Sequence, residues 1–204
     1  MFNERGARAQ ARRYRARGLD SVSRGIVDLL RERGVEGGSV LEVGGGVGAV
    51  QIELLRAGAS RATSVELTPT YEAAAAELLE ERGLRDRVER RVVDFVAVAE
   101  EIDAADMVVM NRVVCCYADM PLLVARAADR TRGVLVMTFP KHRAWTRAVV
   151  ALLNLTLRLA RREFKVFVRP SERIRGAAEA RGLRTLVDRA GVFWETVALV
   201  RLAA

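Results

Sequence analysis

Apolar residues along this 204-residue chain recur with two alternating periods. Short apolar runs predict strands at SVLEV (39–43), RATSVEL (61–67), RVERRVVDF (87–95), ADMVVMN (105–111) and GVLVMTF (133–139). Between them, apolar positions three and four apart predict helices. Residues 21–33 set Val22, Ile26, Leu29 and Leu30 on one face, and Gly34 ends the run. The same spacing predicts helices over 4–17, 49–57, 70–82 and 119–131, with Thr68-Pro69 opening the one at 70 and Gly83 closing it. Strands that alternate with helices imply right-handed crossovers and a mostly parallel sheet. Beyond residue 140 the pattern lengthens. Helices are expected over 143–162 and 171–181, and LRTLVDRAGVFWETVALVRL then reads as strand, turn, strand: an antiparallel edge on the parallel sheet. Without a repeat or a low-complexity linker, residues 1–204 are expected to form one α/β domain. Its parts are N-terminal basic helices (1–33), a core (34–140), a basic helical cap (141–175) and the last helix end with a terminal hairpin (176–204).

Composition excludes some classes. Half of the residues are hydrophobic, too many for a disordered chain. The longest apolar stretch, AVVALLNLTL at 148–157, has ten residues, too few to span a bilayer. MFNERGARAQ lacks an apolar signal region, so a cytoplasmic protein is expected. The net charge of +8 is unevenly placed: 1–33 carries +5, 34–140 carries −6 and 141–175 carries +8. Two basic segments therefore flank an acidic middle. They read either as solvated arginine-rich faces or as a positive rim for an anionic partner.

Chemistry concentrates in LEVGGGVGAV. A strand enters Gly44, Gly45, Gly46 and Gly48 and leaves as a helix, which permits a sharp turn and close approach of a ligand to backbone. Gly44, Gly46 and Ala49 also satisfy a GxGxxA dinucleotide fingerprint. Three acids separate the readings. Glu42, just before the glycines, suits a cationic group and would repel a pyrophosphate. Glu66 ends the second strand, where a carboxylate can accept both hydroxyls of a ribose. Asp94 ends the third strand and Phe95 follows, a pair suited to an adenine. Ligands of open α/β sheets bind at these strand ends.

On these residues the chain resembles the class I S-adenosylmethionine-dependent methyltransferases, over roughly residues 20–202. VLEVGGGVG is similar to the first motif of that family, SVEL to its second, VVDF to its third and ADMVVMNRVV to its fourth. The resemblance implies a Rossmann-like, doubly wound, seven-stranded sheet of order 3-2-1-4-5-7-6 with the last strand antiparallel. It implies S-adenosyl-L-methionine as cofactor. Gly44, Gly45, Gly46 and Gly48 would line the methionine moiety and ribose, and Glu42 would reach the ammonium. Glu66 would hold the ribose, with Leu67 packing on the adenine, and Asp94 and Phe95 would read the adenine edge. Asn111 and Arg112 would offer backbone carbonyls. RRYRARGLD with VLEVGGGVGAVQIELL is similar to small-molecule members such as the magnesium-protoporphyrin O-methyltransferases, in which the first helix covers the cofactor; Tyr14 would reach its carboxylate.

The acceptor is expected above the fourth and fifth strands: a small molecule, apolar and anionic. His142, the only histidine, and Tyr117 are the candidate general bases. Helix 143–162 reads in three ways: a cover for the core, a lid over the substrate, or an interfacial helix. Cys115 and Cys116 have no CxxC or histidine partner, so no metal site is expected and they read as pocket wall. Two other readings stay open: an NAD(P)-dependent oxidoreductase, and a non-catalytic or RNA-binding protein on the same fold. The oligomeric expectation is monomer or homodimer.

Overall fold

The computed structural model describes residues 3–162 and 164–202. Two helices open the chain, α1 (Glu4–Arg17) and α2 (Ser21–Glu32). Asn3 and Asp20 cap them by accepting first-turn amides. The sheet then begins: β1 (Ser39–Val43), α3 (Ala49–Arg56), β2 (Arg61–Glu66), α4 (Glu72–Glu81), β3 (Val88–Val92), α5 (Phe95–Val98), β4 (Ala105–Asn111), α6 (Met120–Asp129) and β5 (Thr131–Pro140). After α7 (Ala144–Leu159) and α8 (Ser171–Glu179), β6 (Leu183–Ala190) and β7 (Trp194–Arg201) form the terminal hairpin.

The seven strands lie in the order β3-β2-β1-β4-β5-β7-β6. The first five are parallel to one another, and β7 runs antiparallel to both β5 and β6. The hairpin forms the expected antiparallel edge: β7 inserts beside β5, and β6 is outermost. Burial explains the choice. Val197, Ala198 and Leu199 of β7 are sealed, whereas much of β6 is exposed.

Alternation of side chains across the pleat divides two cores. Met107 and Val109 of β4 join the α1–α4 face; Val108 and Met110 join the face covered by α5, α6 and α8. Helix α2 shows the expected logic, with Ile26, Leu29 and Leu30 all but inaccessible. Helix α7 does not. Only Thr146 and Val150 are buried, so this helix is no cover for the core. The third strand also stops short of the expected 87–95. Asp94 caps α5 instead, accepting the Val96 amide at 3.0 Å, and the FVAV run that follows is a short helix.

Candidate functional site

The carboxyl ends of the central strands open into one cavity of about 540 Å³. Its floor is the turn from β1 into α3. Gly44 and Gly46 hold left-handed φ of 67° and 61°, and a Cβ on Gly44 would sit 2.6 Å from Val113 Cγ2. A Cβ on Gly45 would sit 2.3 Å from the Glu42 carboxyl carbon. The floor therefore has no room for side chains, and its backbone faces the cavity. Gly48 caps α3 in the left-handed region and lies outside the lining.

Two carboxylates are sunk into this floor. Glu42 is 1% exposed and accepts the Gln51 amide at 3.3 Å. Burial pushes it up to about 7, against the Gln51 amide and the positive field of Arg90, and the neighbouring Glu66 adds to the rise. Glu66 ends β2 and accepts the amides of Gly46 and Leu67, each at 3.0 Å. Burial raises it too, while those amides and Arg90 pull it back. Arg90, on β3, donates to the Gly46 carbonyl and to Ser64, and pairs with Glu72 at 2.7 Å. It braces the loop from below. Sequence reasoning missed it, and the available signal was an arginine inside a strand.

The adenine-side residues also meet. Asp94, Phe95 and Leu67 line the cavity, and the Tyr117 hydroxyl donates to both Asp94 oxygens at 3.0 and 3.2 Å. Burial and that carboxylate push Tyr117 up to about 12. Near neutral pH it is a phenol whose hydroxyl hydrogen is engaged by Asp94.

Beside the floor, at the end of β4, Asn111 and Arg112 line the cavity and latch onto α2. Asn111 donates to Ser23 at 2.9 Å, and Arg112 pairs with Asp20 at 2.7 Å while its guanidinium lies over Trp194. Arg112 holds a left-handed φ of 63°. Tyr14 lines the cavity, but its hydroxyl donates to Glu53 at 2.5 Å. Gln10, Arg13, Thr68, Tyr71 and Phe164 complete parts of the wall and were not foreseen, since nothing local marks them.

Cys115 and Cys116 are both free thiols, with sulfurs 3.5 Å apart. Cys116 lines the cavity and Cys115 is buried behind it. The Cys116 sulfur beside it and burial both push the Cys115 thiol up. The Cys115 carbonyl accepts the Phe167 amide at 2.7 Å, which brings the 164–169 segment against the cavity. His142 is exposed and lies outside the lining.

With this geometry in view, comparison with known proteins is direct. Residues 41–133 match the family model described as a methyltransferase domain. No curated protein sequence matches the chain. Among solved structures, magnesium protoporphyrin IX methyltransferase from Synechocystis PCC 6803 with bound SAH (S-adenosylhomocysteine) superposes with a TM-score of 0.72 at 16% identity, over 89% of this chain and 82% of that one. An O-methyltransferase family protein from Burkholderia thailandensis has a TM-score of 0.72 at 22% identity, over 98% and 63% of the two chains. An O-methyltransferase family 2 protein from Planctomyces limnophilus in complex with apigenin has a TM-score of 0.71 at 20% identity, over 99% and 62%. This chain thus spans less than two thirds of the latter two.

Proposed function

From the premise that residues 41–133 carry a methyltransferase domain, we propose that the protein transfers a methyl group from S-adenosylmethionine to a small, apolar, anionic acceptor. The observation that carries this is the pair of buried carboxylates, Glu42 and Glu66, under a glycine floor with no room for side chains. Such a floor favours a ligand that brings a cation and hydroxyl donors, and it disfavours a pyrophosphate.

The residues present fit that group. Glu66 is held by two amides with carboxylate acceptor capacity left for a ribose. Glu42 would face the ammonium, Asp94 and Phe95 the adenine, and Leu67 would pack on its face. Asn111 and Arg112 would offer backbone carbonyls, and Tyr14 and the basic residues of α1 would close the carboxylate end. When bound, the cofactor supplies a sulfonium-activated methyl group, and the sulfur keeps the bonding pair as the methyl leaves. The protein's own contribution is to orient the partners and exclude water. No general base is required of it: Tyr117 is committed to Asp94, and His142 lies outside the cavity lining. An acceptor that arrives already ionised, such as a carboxylate, meets that condition. Val113, Cys116 and Phe164 give it apolar walls, and Arg13 and Arg112 give it a positive rim.

Calorimetric titration separates this reading from the oxidoreductase alternative. Binding heat is expected with S-adenosylhomocysteine and none with NADH; the reverse would overturn it. Glu66→Ala should weaken S-adenosylhomocysteine about 30-fold, the loss of roughly 2 kcal/mol of charge-assisted hydrogen bonding.

A further inference from the structure

Helix α7 is apolar on two sides. One side faces the protein: Thr146 and Val150 are buried, and Asn154 exchanges hydrogen bonds with the Val166 backbone at 2.8 and 2.9 Å. The other side faces outward. Trp145, Val149, Leu152, Leu155 and Leu159 are 43–75% exposed. At 3.6 residues per turn these five fall within about 120° of one another, roughly 140° from the buried seam. Trp145 continues the patch by packing edge-on against Phe193 (5.8 Å), next to the 85%-exposed Val192 of the β6–β7 turn.

The charge along the helix itself has one sign. Residues 141–162 contain Lys141 and five arginines and no acidic residue. Arg147 and Arg158 sit on the flank between the two faces, Arg143 precedes the helix, and Arg161 and Arg162 follow it; all of these arginines are exposed. A second copy of the chain is a poor partner. Antiparallel pairing of two α7 helices about Leu152 would set arginine against arginine with no carboxylate from either helix. Among the described residues no helix is long and apolar enough to cross a membrane. An apolar stripe about 21 Å long, with an aromatic residue near one end and flanked along the helix by arginines, matches an anionic bilayer surface.

We propose that α7 is an in-plane anchor that seats this protein on anionic lipid bilayers. The stripe enters the headgroup–acyl boundary and the arginines meet lipid phosphates. The inference does not depend on the methyl-transfer reading. It does have a geometric corollary. The segment after α7 lines the cavity at Phe164 and bonds to Cys115 at Phe167, so the seated helix is joined directly to the cavity wall.

The test is co-sedimentation of the full chain with vesicles of phosphatidylcholine alone or with 30% phosphatidylglycerol. We expect binding to the anionic vesicles at least tenfold tighter than to the neutral ones, falling about fivefold for each of Arg158→Gln and Arg162→Gln. Leu152→Asp with Leu155→Asp should abolish it; both side chains are exposed, so the thermal melt should not move. Trp145 emission should shift to the blue on anionic vesicles, and Trp145→Phe should remove that shift while Trp194 remains. Equal sedimentation with both vesicle types, none with either, or unchanged binding by the double variant would overturn the proposal. So would a monomer–dimer equilibrium, or capture of an acidic amphipathic peptide, that the double variant abolishes while vesicle binding persists.

Discussion

Between β1 and α3, the side chains of Glu42, Gln51 and Ile52 are all but sealed from solvent; on α7, Leu152 and Leu159 are 63% and 75% exposed. Both stretches follow a strand and both read as apolar helices or turns. The cavity floor is tied together internally: the Gly46 amide donates to Glu66, and the Gly46 carbonyl accepts from Arg90. The cap leaves its apolar stripe without protein cover. Substitution in the floor must therefore be felt through the whole fold. Substitution on the outer face of α7 should be felt only through what docks there.

The largest break in that contrast is expected at Gly45. Gly45→Ala drives a methyl into the Glu42 carboxyl and should cost about 2–3 kcal/mol, lowering the thermal midpoint by roughly 5–10 °C. Aspartates at 152 and 155 should leave the midpoint in place. An equal drop for both would erase the distinction.

Nearly as large is the pH response of Glu42. Its pKa is about 7 in the fold against 4.5 unfolded, so the folded chain holds the proton more tightly. Stability from this group is thus greatest at acid pH and declines as pH rises from about 5 through 7, by roughly 2–3 kcal/mol. Urea unfolding of the native protein and of Glu42→Gln, compared between pH 5 and pH 8, should show the slope in the first and not in the second. Binding of a cationic ligand beside Glu42 should strengthen over the same interval, because the ligand favours the ionised carboxylate.

Smaller is Tyr117→Phe. It removes the hydroxyl from Asp94 and should change S-adenosylhomocysteine affinity by only a few-fold, about 1 kcal/mol. A loss of all methyl transfer with binding intact would instead make Tyr117 a direct participant in the chemistry. Smallest are His142→Ala and the double change Cys115→Ala with Cys116→Ala. The first should leave turnover within about twofold, and the second should leave cofactor affinity within a few-fold, since alanine keeps both positions small and apolar. Complete loss on either would move the reacting centre away from the floor.

The same contrast governs how much the sequence discloses. β1 and β4 are legible to the residue, because a buried parallel strand must be continuously apolar and SVLEV and ADMVVMN are bounded by turn residues. Glu42, Glu66 and the glycines follow from position at strand ends. What escaped is pairing across long separations. The Arg90 brace, the Tyr117–Asp94 contact and the Asp20–Arg112 latch join residues 18 to 92 positions apart, and local periodicity has no access to them. Asp94 was misplaced as a strand end because RVVDFVAV is apolar on both sides of it, and only the Val96 amide shows a helix cap. For α7, periodicity gave an apolar face but could not say which of two faces turns inward.

One contact in the floor also bears on inheritance. A side chain at position 44 would need the left-handed backbone and the space now filled by the Val113 methyls. Positions 44 and 113 are therefore not free to drift separately. A descendant that lost the glycine would survive only if the valine had shrunk first, so the order of mutation, and not merely the outcome, is constrained by 2.6 Å.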